Sequence, residues 1–284
     1  MQDLSQILLV TDCDGTLLQD DKTISSTDLN AIGKFQAAGG NFTIATGRSI
    51  PTGTPVLRQL ELKLPCILYN GSMLYDFLKD EILWMAEIPQ NARFLVEKAI
   101  KRFGAPLGVE ILTPEGMNVV AFNQLVDAHL NGRTPIPYRL TGIREILDRK
   151  WLKVMMAMPE ELMPEISAFL RGFGTEGVRF VRSEKLFYEI LPAEASKGNA
   201  LERLCRETGF SLARTVAMGD CDNDIEMLQQ ARVGIAVENA FPAAKAAADF
   251  VTVSNRKSAV ARTINELMAD PDTFFKRGKK QWKF

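Results

Sequence analysis

Short apolar runs alternate with amphipathic segments at both ends of this chain. The pattern predicts strands at 7–10, 42–45 and 66–69, and again at 215–218, 233–237 and 250–253. Between them it predicts a helix that Thr27 or Asp28 caps and Gly39 ends, and helices at 223–230 and 243–248. Buried apolar runs that alternate with helices are typical of a parallel sheet covered on both faces. We therefore expect an α/β fold with a doubly wound, Rossmann-like parallel sheet.

The middle of the chain has a different rhythm. A predicted helix at 91–103 is followed by predicted strands at 107–112, 118–122, 152–158, 178–182 and 186–191, with one more helix at 160–170. Strands grouped in pairs indicate a separate α+β module. We expect residues 1–84 and 191–284 to form the core domain, and residues 85–190 to form an inserted α+β domain.

Composition narrows the class of protein. The chain has 284 residues, of which 46% are hydrophobic and 24% charged, as in a globular protein. The net charge of −1 gives no overall attraction to nucleic acid or to an anionic membrane surface. The N-terminal apolar run is too short for a signal peptide, and no stretch is long enough to cross a bilayer. We expect a cytoplasmic protein with no nucleic-acid or membrane partner.

Cysteine and histidine usage excludes several kinds of site. The four cysteines are scattered and form no CxxC pair, which indicates a reducing compartment and argues against a zinc site. His129 is the only histidine, so a Ser-His-Asp triad and a poly-His metal site are nearly excluded. We interpret His129 as an ordinary surface or helix residue.

Functional residue types follow several of the predicted core strands. Asp12 and Asp14 come after the first strand, Thr46 and Gly47 after the second, and Asp220 after the strand at 215–218. In open parallel sheets, ligands bind at the carboxyl ends of the strands. The topology should therefore gather these distant segments at one place.

The segment 219–224 is rich in oxygen ligands that suit Mg²⁺. It contains Asp220, Asp222, Asn223 and Asp224. An EF-hand loop needs glycine at its sixth position. Counted from Asp220, the sixth residue is Ile225, so this segment does not fit an EF-hand loop. A solvated acidic turn in which Asn223 or Asp224 caps a helix remains the alternative.

Lys197 lies just after Ser196, a predicted N-cap of a helix that Gly209 ends. The helix dipole disfavours a cation in the first turn. The lysine could instead meet an anion drawn to that helix end. Taken alone, a solvated surface lysine would be the simpler interpretation.

Together these segments resemble the haloacid dehalogenase superfamily of phosphotransferases. Asp12-Cys13-Asp14-Gly15-Thr16 resembles its first motif, DxDGT. Thr46 resembles the second motif and Lys197 the third. The segment 219–224 resembles the fourth motif, GDxxND. The insert between the second and third motifs resembles the C2-type cap of the Cof-type, IIB branch. The dipeptide Asn70-Gly71 and the segment 191–198 are also similar to that branch.

The resemblance implies a role for each site residue. Asp12 would be the nucleophile that forms an aspartyl-phosphate, and Asp14 the acid and base that serves the leaving group and then water. Mg²⁺ would be held by Asp12, the Asp14 backbone carbonyl and Asp220. The phosphoryl group would be bound by Thr46, Gly47, Lys197 and Asn223, with Asp224 supporting them.

The resemblance implies a phosphatase of small phosphorylated metabolites: a sugar phosphate, a nucleotide or a phosphorylated cofactor. The inserted domain would close over the site and select the leaving group. A phosphomutase of the same branch, similar to phosphomannomutase, is the nearest alternative, and free phosphate release against isomer formation separates the two. A sensor of phosphate ligands and a divalent-metal buffer are more distant alternatives. The substrate and the oligomeric state cannot be read from the sequence.

Overall fold

The computed structural model describes residues 3–132, 135–174, 176–182 and 185–278. The chain divides into two compact units. The first contains residues 1–48, 53–84 and 196–284, and the second contains residues 49–52 and 85–195. Compared with the predicted domains, the segments 49–52 and 191–195 are grouped with the second unit. The role of that unit as a cap stays a prediction.

The described residues form three sheets and a set of helices. The strands are β1 (Leu8–Thr11), β2 (Asn41–Ile44), β3 (Cys66–Leu68), β4 (Met73–Asp76), β5 (Glu81–Met85), β6 (Gly108–Thr113), β7 (Gly116–Ala121), β8 (Tyr138–Leu140), β9 (Lys153–Ala157), β10 (Val178–Arg182), β11 (Phe187–Pro192), β12 (Thr215–Gly219), β13 (Val233–Ala236) and β14 (Phe250–Val251). The α-helices are α1 (Ser26–Ala37), α2 (Ile50–Leu57), α3 (Gln90–Phe103), α4 (Gln124–Leu130), α5 (Met163–Arg171), α6 (Lys197–Thr208), α7 (Ile225–Gln230), α8 (Pro242–Ala247), α9 (Ala259–Ala269) and α10 (Pro271–Lys276).

The first unit is built on a five-stranded sheet with the order β14–β13–β12–β1–β2. Every pair in it is parallel, so the expected α/β fold class is confirmed. Helix α1 packs on α9, and α6 packs on α7. Strand β1 is fully buried, as a continuous apolar run in a covered parallel sheet should be.

The strand order places the functional segments at one edge. The chain runs outward from β1 to β2 on one side and from β12 to β14 on the other, so a crevice opens where the direction reverses. Thr11, the last residue of β1, is in register with Ile44 of β2 and Met218 of β12. The residues that follow these strands therefore emerge together at the same edge of the sheet.

The second unit contains a six-stranded sheet with the order β10–β11–β9–β6–β7–β8. Its pairs are antiparallel except for β7 with β8. Its core joins α3 and α5 to the sheet, with Val96, Ile166, Val154 and Met156 among its buried members. His129 lies on α4, as the helix interpretation allowed, and its Nδ1 is 2.9 Å from Glu110 Oε1.

Several predicted bounds need correction. Helix α1 is capped by Ser25, whose Oγ accepts a hydrogen bond from the Asp28 N–H at 3.0 Å, and not by Thr27 or Asp28. Helix α7 begins at Ile225, after a 3₁₀ turn at Asp222–Asp224, rather than at Asn223. The apolar pattern did not predict β4, β5, β8, α2, α4, α9 or α10.

None of the helices in the described part of the chain combines the length and apolar character that a bilayer crossing needs.

Candidate active site

A buried lysine lies between two buried carboxylates at the edge of the five-stranded sheet. Lys197 Nζ donates to Asp12 Oδ1 and to Asp224 Oδ1, both at 2.6 Å. The Lys197 side chain is 1% exposed, and those of Asp12 and Asp224 are 7% and 0% exposed. Ser196 caps helix α6 and Gly209 ends it, as predicted, so the first turn of the helix presents Lys197. The surface-lysine alternative is therefore wrong.

Burial dominates the electrostatics of these groups. It raises the pKa of Asp12 well above its usual value, and the charges of Asp224 and Asp220 raise it further against the opposing effect of Lys197. Burial, followed by the charge of Asp224, also raises the pKa of Asp220 to about 6. Burial alone would lower the pKa of Lys197, but Asp12 and Asp224 together raise it above its ordinary value.

The acid cluster fits a divalent cation. Ligand atoms of Asp12, Asp220 and Asp224 lie within 4.8 Å of one another. Asp12 Oδ2 is buried and has no hydrogen-bond partner, which is costly for a carboxylate oxygen. Three carboxylates also face a single ammonium group, Lys197, so the cluster carries surplus negative charge when all are ionised. A hard cation with oxygen ligands would satisfy the orphaned oxygen and balance that charge.

Both side-chain oxygens of Asp224 already accept hydrogen bonds from the protein. Its Oδ1 accepts from Lys197, and its Oδ2 accepts from the backbone N–H groups of Asp220 and Cys221 at 2.9 and 3.0 Å. Asp224 is the N-cap residue of α7, as the alternative interpretation allowed, but its side chain makes no capping hydrogen bond to that helix. Asp12 and Asp220 are therefore the better side-chain ligands for a cation. Asp220 is held by Thr16, whose Oγ1 donates to Asp220 Oδ1 at 2.9 Å.

Asp14 has partners that the sequence analysis missed. Arg48 donates from Nε to Asp14 Oδ2 at 2.7 Å and from Nη2 to Oδ1 at 2.8 Å, and Lys22 Nζ donates to Oδ1 at 2.8 Å. Burial would raise the pKa of Asp14, but the hydrogen bonds and charges of Arg48 and Lys22 outweigh it and lower the pKa to about 2. Arg48 directly follows Thr46-Gly47, and that adjacency was the only signal in the sequence.

The second predicted motif meets the fourth through Asn70. Thr46 is buried, and its Oγ1 accepts from the Arg48 N–H at 3.2 Å. A Cβ on Gly47 would lie 2.5 Å from Asn70 Oδ1, so a side chain there would displace the Asn70 carboxamide. Asn223 Nδ2 donates to that same Asn70 oxygen at 3.1 Å. The other polar atom of the Asn223 carboxamide, Oδ1, is buried and has no hydrogen-bond partner.

Residues 9–264 match the family model described as haloacid dehalogenase-like hydrolase. The chain is 29% identical over 266 residues to a 5-amino-6-(5-phospho-D-ribitylamino)uracil phosphatase of Bacillus subtilis, covering 91% of this chain and 96% of that protein. It is 29% identical over 242 residues to an HMP-PP phosphatase of Serratia proteamaculans, covering 84% and 86%. In fold it is similar to a haloacid dehalogenase-like hydrolase from Bacteroides thetaiotaomicron, with a TM-score of 0.82, 24% identity and coverage of 92% and 99%.

Proposed function

The chain belongs to the family of haloacid dehalogenase-like hydrolases, and from this membership we propose that it is a Mg²⁺-dependent phosphatase of small phosphate monoesters. The observation that carries the proposal is the buried pair of Asp12 and Lys197, in which one Asp12 oxygen is held at 2.6 Å and the other has no partner. Such a carboxylate is oriented by the protein and still has an oxygen to offer.

In the first half of the reaction, an Asp12 oxygen attacks phosphorus and forms an aspartyl-phosphate. The bond between phosphorus and the ester oxygen breaks, and its electron pair leaves with that oxygen, which takes a proton from Asp14. In the second half, water attacks the same phosphorus and gives a proton to Asp14. The bond between phosphorus and the Asp12 oxygen then breaks, which releases phosphate and restores Asp12.

Asp14 must change its contacts during this cycle. Arg48 and Lys22 hold its pKa at about 2 in the resting protein, so the carboxyl carries no proton to give at neutral pH. The first half of the reaction therefore requires these contacts to loosen when the substrate is bound.

The side chains of Asp12 and Asp220 and the Asp14 backbone carbonyl would hold Mg²⁺. When bound, this ion supplies positive charge that offsets the repulsion between a carboxylate and a phosphate dianion.

The other predicted residues would bind phosphoryl oxygens. An ammonium group has three N–H donors. Lys197 donates two of them to Asp12 and Asp224, so the third can bind the ligand. The Asn223 side-chain amide donates one N–H to Asn70, so its second N–H can bind the ligand. The Thr46 hydroxyl and the Gly47 backbone N–H complete a set of donors for charge that develops during transfer.

The substrate class follows the relatives. Their names describe a phosphorylated ribitylaminouracil and HMP-PP as substrates of those proteins. For this chain we propose a small phosphorylated metabolite, namely a sugar phosphate, a nucleotide or a phosphorylated cofactor. The alternative, a phosphomutase, would pass the phosphoryl group to a second hydroxyl rather than to water.

The test uses p-nitrophenyl phosphate with Mg²⁺ and then a panel of phosphate esters. Asp12→Asn should abolish phosphate release, and EDTA should reversibly suppress it. Asp222→Asn is the matched control, because Asp222 is an exposed acid in the segment that carries Asp220 and Asp224. Near-wild-type turnover in Asp12→Asn would rule out the nucleophile assignment, and formation of an isomer without free phosphate would indicate a mutase.

A further inference from the structure

The turn Tyr69–Gly71 combines burial with an unusual backbone conformation. Its three residues have positive φ in succession: 52° for Tyr69, 57° for Asn70 and 96° for Gly71. The left-handed conformation costs a non-glycine residue about 1–2 kcal/mol. Tyr69 and Asn70 are nevertheless buried, at 0% and 4% exposure. Such strain persists where surrounding contacts fix it, and it is concentrated at functional sites.

The turn is bonded to the segment that contains Thr46 and Gly47. The Asn70 N–H donates to the Thr46 carbonyl at 3.1 Å, and the Tyr69 N–H donates to the Arg48 carbonyl at 3.0 Å. The Asn70 side-chain oxygen lies so close to Gly47 that a Cβ on Gly47 would displace it. These contacts fix the backbone that presents the Thr46 hydroxyl and the Gly47 N–H.

The same turn reaches two further site segments. Asn70 Oδ1 accepts from the Asn223 amide at 3.1 Å. At Gly71, a Cβ would lie 2.1 Å from the Ser196 carbonyl, directly before Lys197. The turn thus touches the segments of Thr46, Asn223 and Lys197, although it contains none of the proposed phosphate ligands.

We propose that Asn70 is a positioning residue for phosphoryl transfer: its carboxamide sets the Asn223 amide and the Thr46–Gly47 backbone at the spacing that phosphate oxygens need. This inference rests on the proposed phosphatase function. A misplacement of about 1 Å in such a site can lower the rate about 100-fold. Removal of the Asn70 side chain should therefore affect turnover more than it affects folding.

Asn70→Gly is the decisive variant, because glycine tolerates φ near 57° and only the carboxamide is lost. We expect kcat for p-nitrophenyl phosphate to fall by at least about 10-fold. The far-UV circular dichroism spectrum should be unchanged and thermal unfolding should stay cooperative, which shows that the variant is folded. Asp80→Gly is the matched control, since Asp80 also has positive φ, at 55°, and is exposed. Its kcat should equal that of the wild type.

Asn70→Asp keeps an acceptor for Asn223 but adds negative charge beside Gly47. We expect the inhibition constant of inorganic phosphate to rise in this variant, because like charges repel. It also covers the case in which Asn70→Gly does not fold. Because the added charge acts only on phosphate bound beside Asn70, an unchanged inhibition constant in the folded Asn70→Asp protein would mean that phosphate does not bind next to this side chain.

Wild-type kcat in folded Asn70→Gly, or unchanged phosphate inhibition in Asn70→Asp, would overturn the inference. If the wild type itself releases no phosphate, the proposed function fails instead. The positioning contact is then judged by NMR of the Asn223 side-chain amide. Its ¹⁵N–¹H signals should shift in Asn70→Gly and not in Asp80→Gly; unshifted signals in Asn70→Gly would also overturn the inference.

Discussion

Replacing Lys197 with methionine removes the cation between two buried carboxylates. Both contacts are 2.6 Å long, and the three side chains are at most 7% exposed. Methionine is an unbranched side chain that fills irregular space, so the change creates little cavity. Removing one partner of a buried ion pair costs about 3–5 kcal/mol, because the other charge stays buried and uncompensated. We expect the free energy of unfolding of the metal-free protein to fall by about that amount.

The loss should depend on pH, with a sign fixed by Asp12. Burial already raises the pKa of Asp12 in the folded protein, and without Lys197 that pKa rises further. Between the unfolded pKa of about 3.9 and the raised folded pKa, the folded variant binds a proton that the unfolded chain does not. Its stability therefore falls as pH rises through this window, and the full loss appears only above the folded pKa.

Urea unfolding of the wild type and Lys197→Met, in EDTA at pH 5 and pH 8, measures both effects. Lys34→Met on α1 is the control, because Lys34 is exposed and should give the same stability as the wild type at both pH values. Adding Asp224→Asn to Lys197→Met removes one uncompensated carboxylate and should recover part of the loss. A loss below about 1 kcal/mol at pH 8, or an equal loss at both pH values, would refute the reasoning about buried charge.

Arg48→Ala removes a guanidinium that lowers the pKa of Asp14 to about 2, so the Asp14 carboxyl should titrate at higher pH in the metal-free protein. A ¹³C NMR titration of the carboxyl carbon measures this, and a midpoint still near pH 2 would exclude control by Arg48. Gly71→Ala forces a Cβ to within 2.1 Å of the Ser196 carbonyl at φ 96°, so thermal or urea unfolding should show a loss of more than about 1 kcal/mol. Gly33→Ala should instead add about 0.5–1 kcal/mol, because Gly33 lies inside α1 with no atom within 4 Å of an added Cβ; equal effects of the two glycine substitutions would contradict this steric argument.

The fold could be predicted where local sequence rules and burial agree. Helix α6 has a serine cap at one end and a left-handed glycine at the other, and both are readable from single residues. Helix α2 was missed because it contains proline inside its span, at Pro55. Helix α9, which begins at Ala259, was also missed; its N-cap residue Ser258 has a φ of 54°, and its side chain makes no capping hydrogen bond. Strand β8 has three residues and, among the described strands, pairs with β7 alone. Its own sequence is too short for a strand pattern to be recognised.

The candidate site shows the same division. The grouping of Asp12, Thr46 and Asp220 could be predicted because sheet topology brings strand ends together, whatever the side chains do. Lys197 was predicted from its place after the N-cap Ser196 and from the resemblance to the family motif. The clamp of Arg48 and Lys22 on Asp14 could not, because it depends on the direction in which long side chains turn after folding. The contact of Asn70 with Asn223 joins residues 153 positions apart, and no local pattern indicates it.

Asp12 and Asp14 lie two residues apart, and their protonation tendencies are opposite to those that the proposed chemistry needs. The nucleophile should be ionised and the acid protonated. In the resting protein, burial raises the pKa of Asp12 well above its usual value, whereas Arg48 and Lys22 lower that of Asp14 to about 2. A divalent cation at the unpartnered Asp12 Oδ2 would favour ionised Asp12, and loss of the Arg48 and Lys22 contacts would favour protonated Asp14. In the proposed reaction, binding of the cation would therefore lower the pKa of Asp12, and loss of the Arg48 and Lys22 contacts would raise that of Asp14, so each change moves its carboxyl toward the protonation state that the chemistry needs.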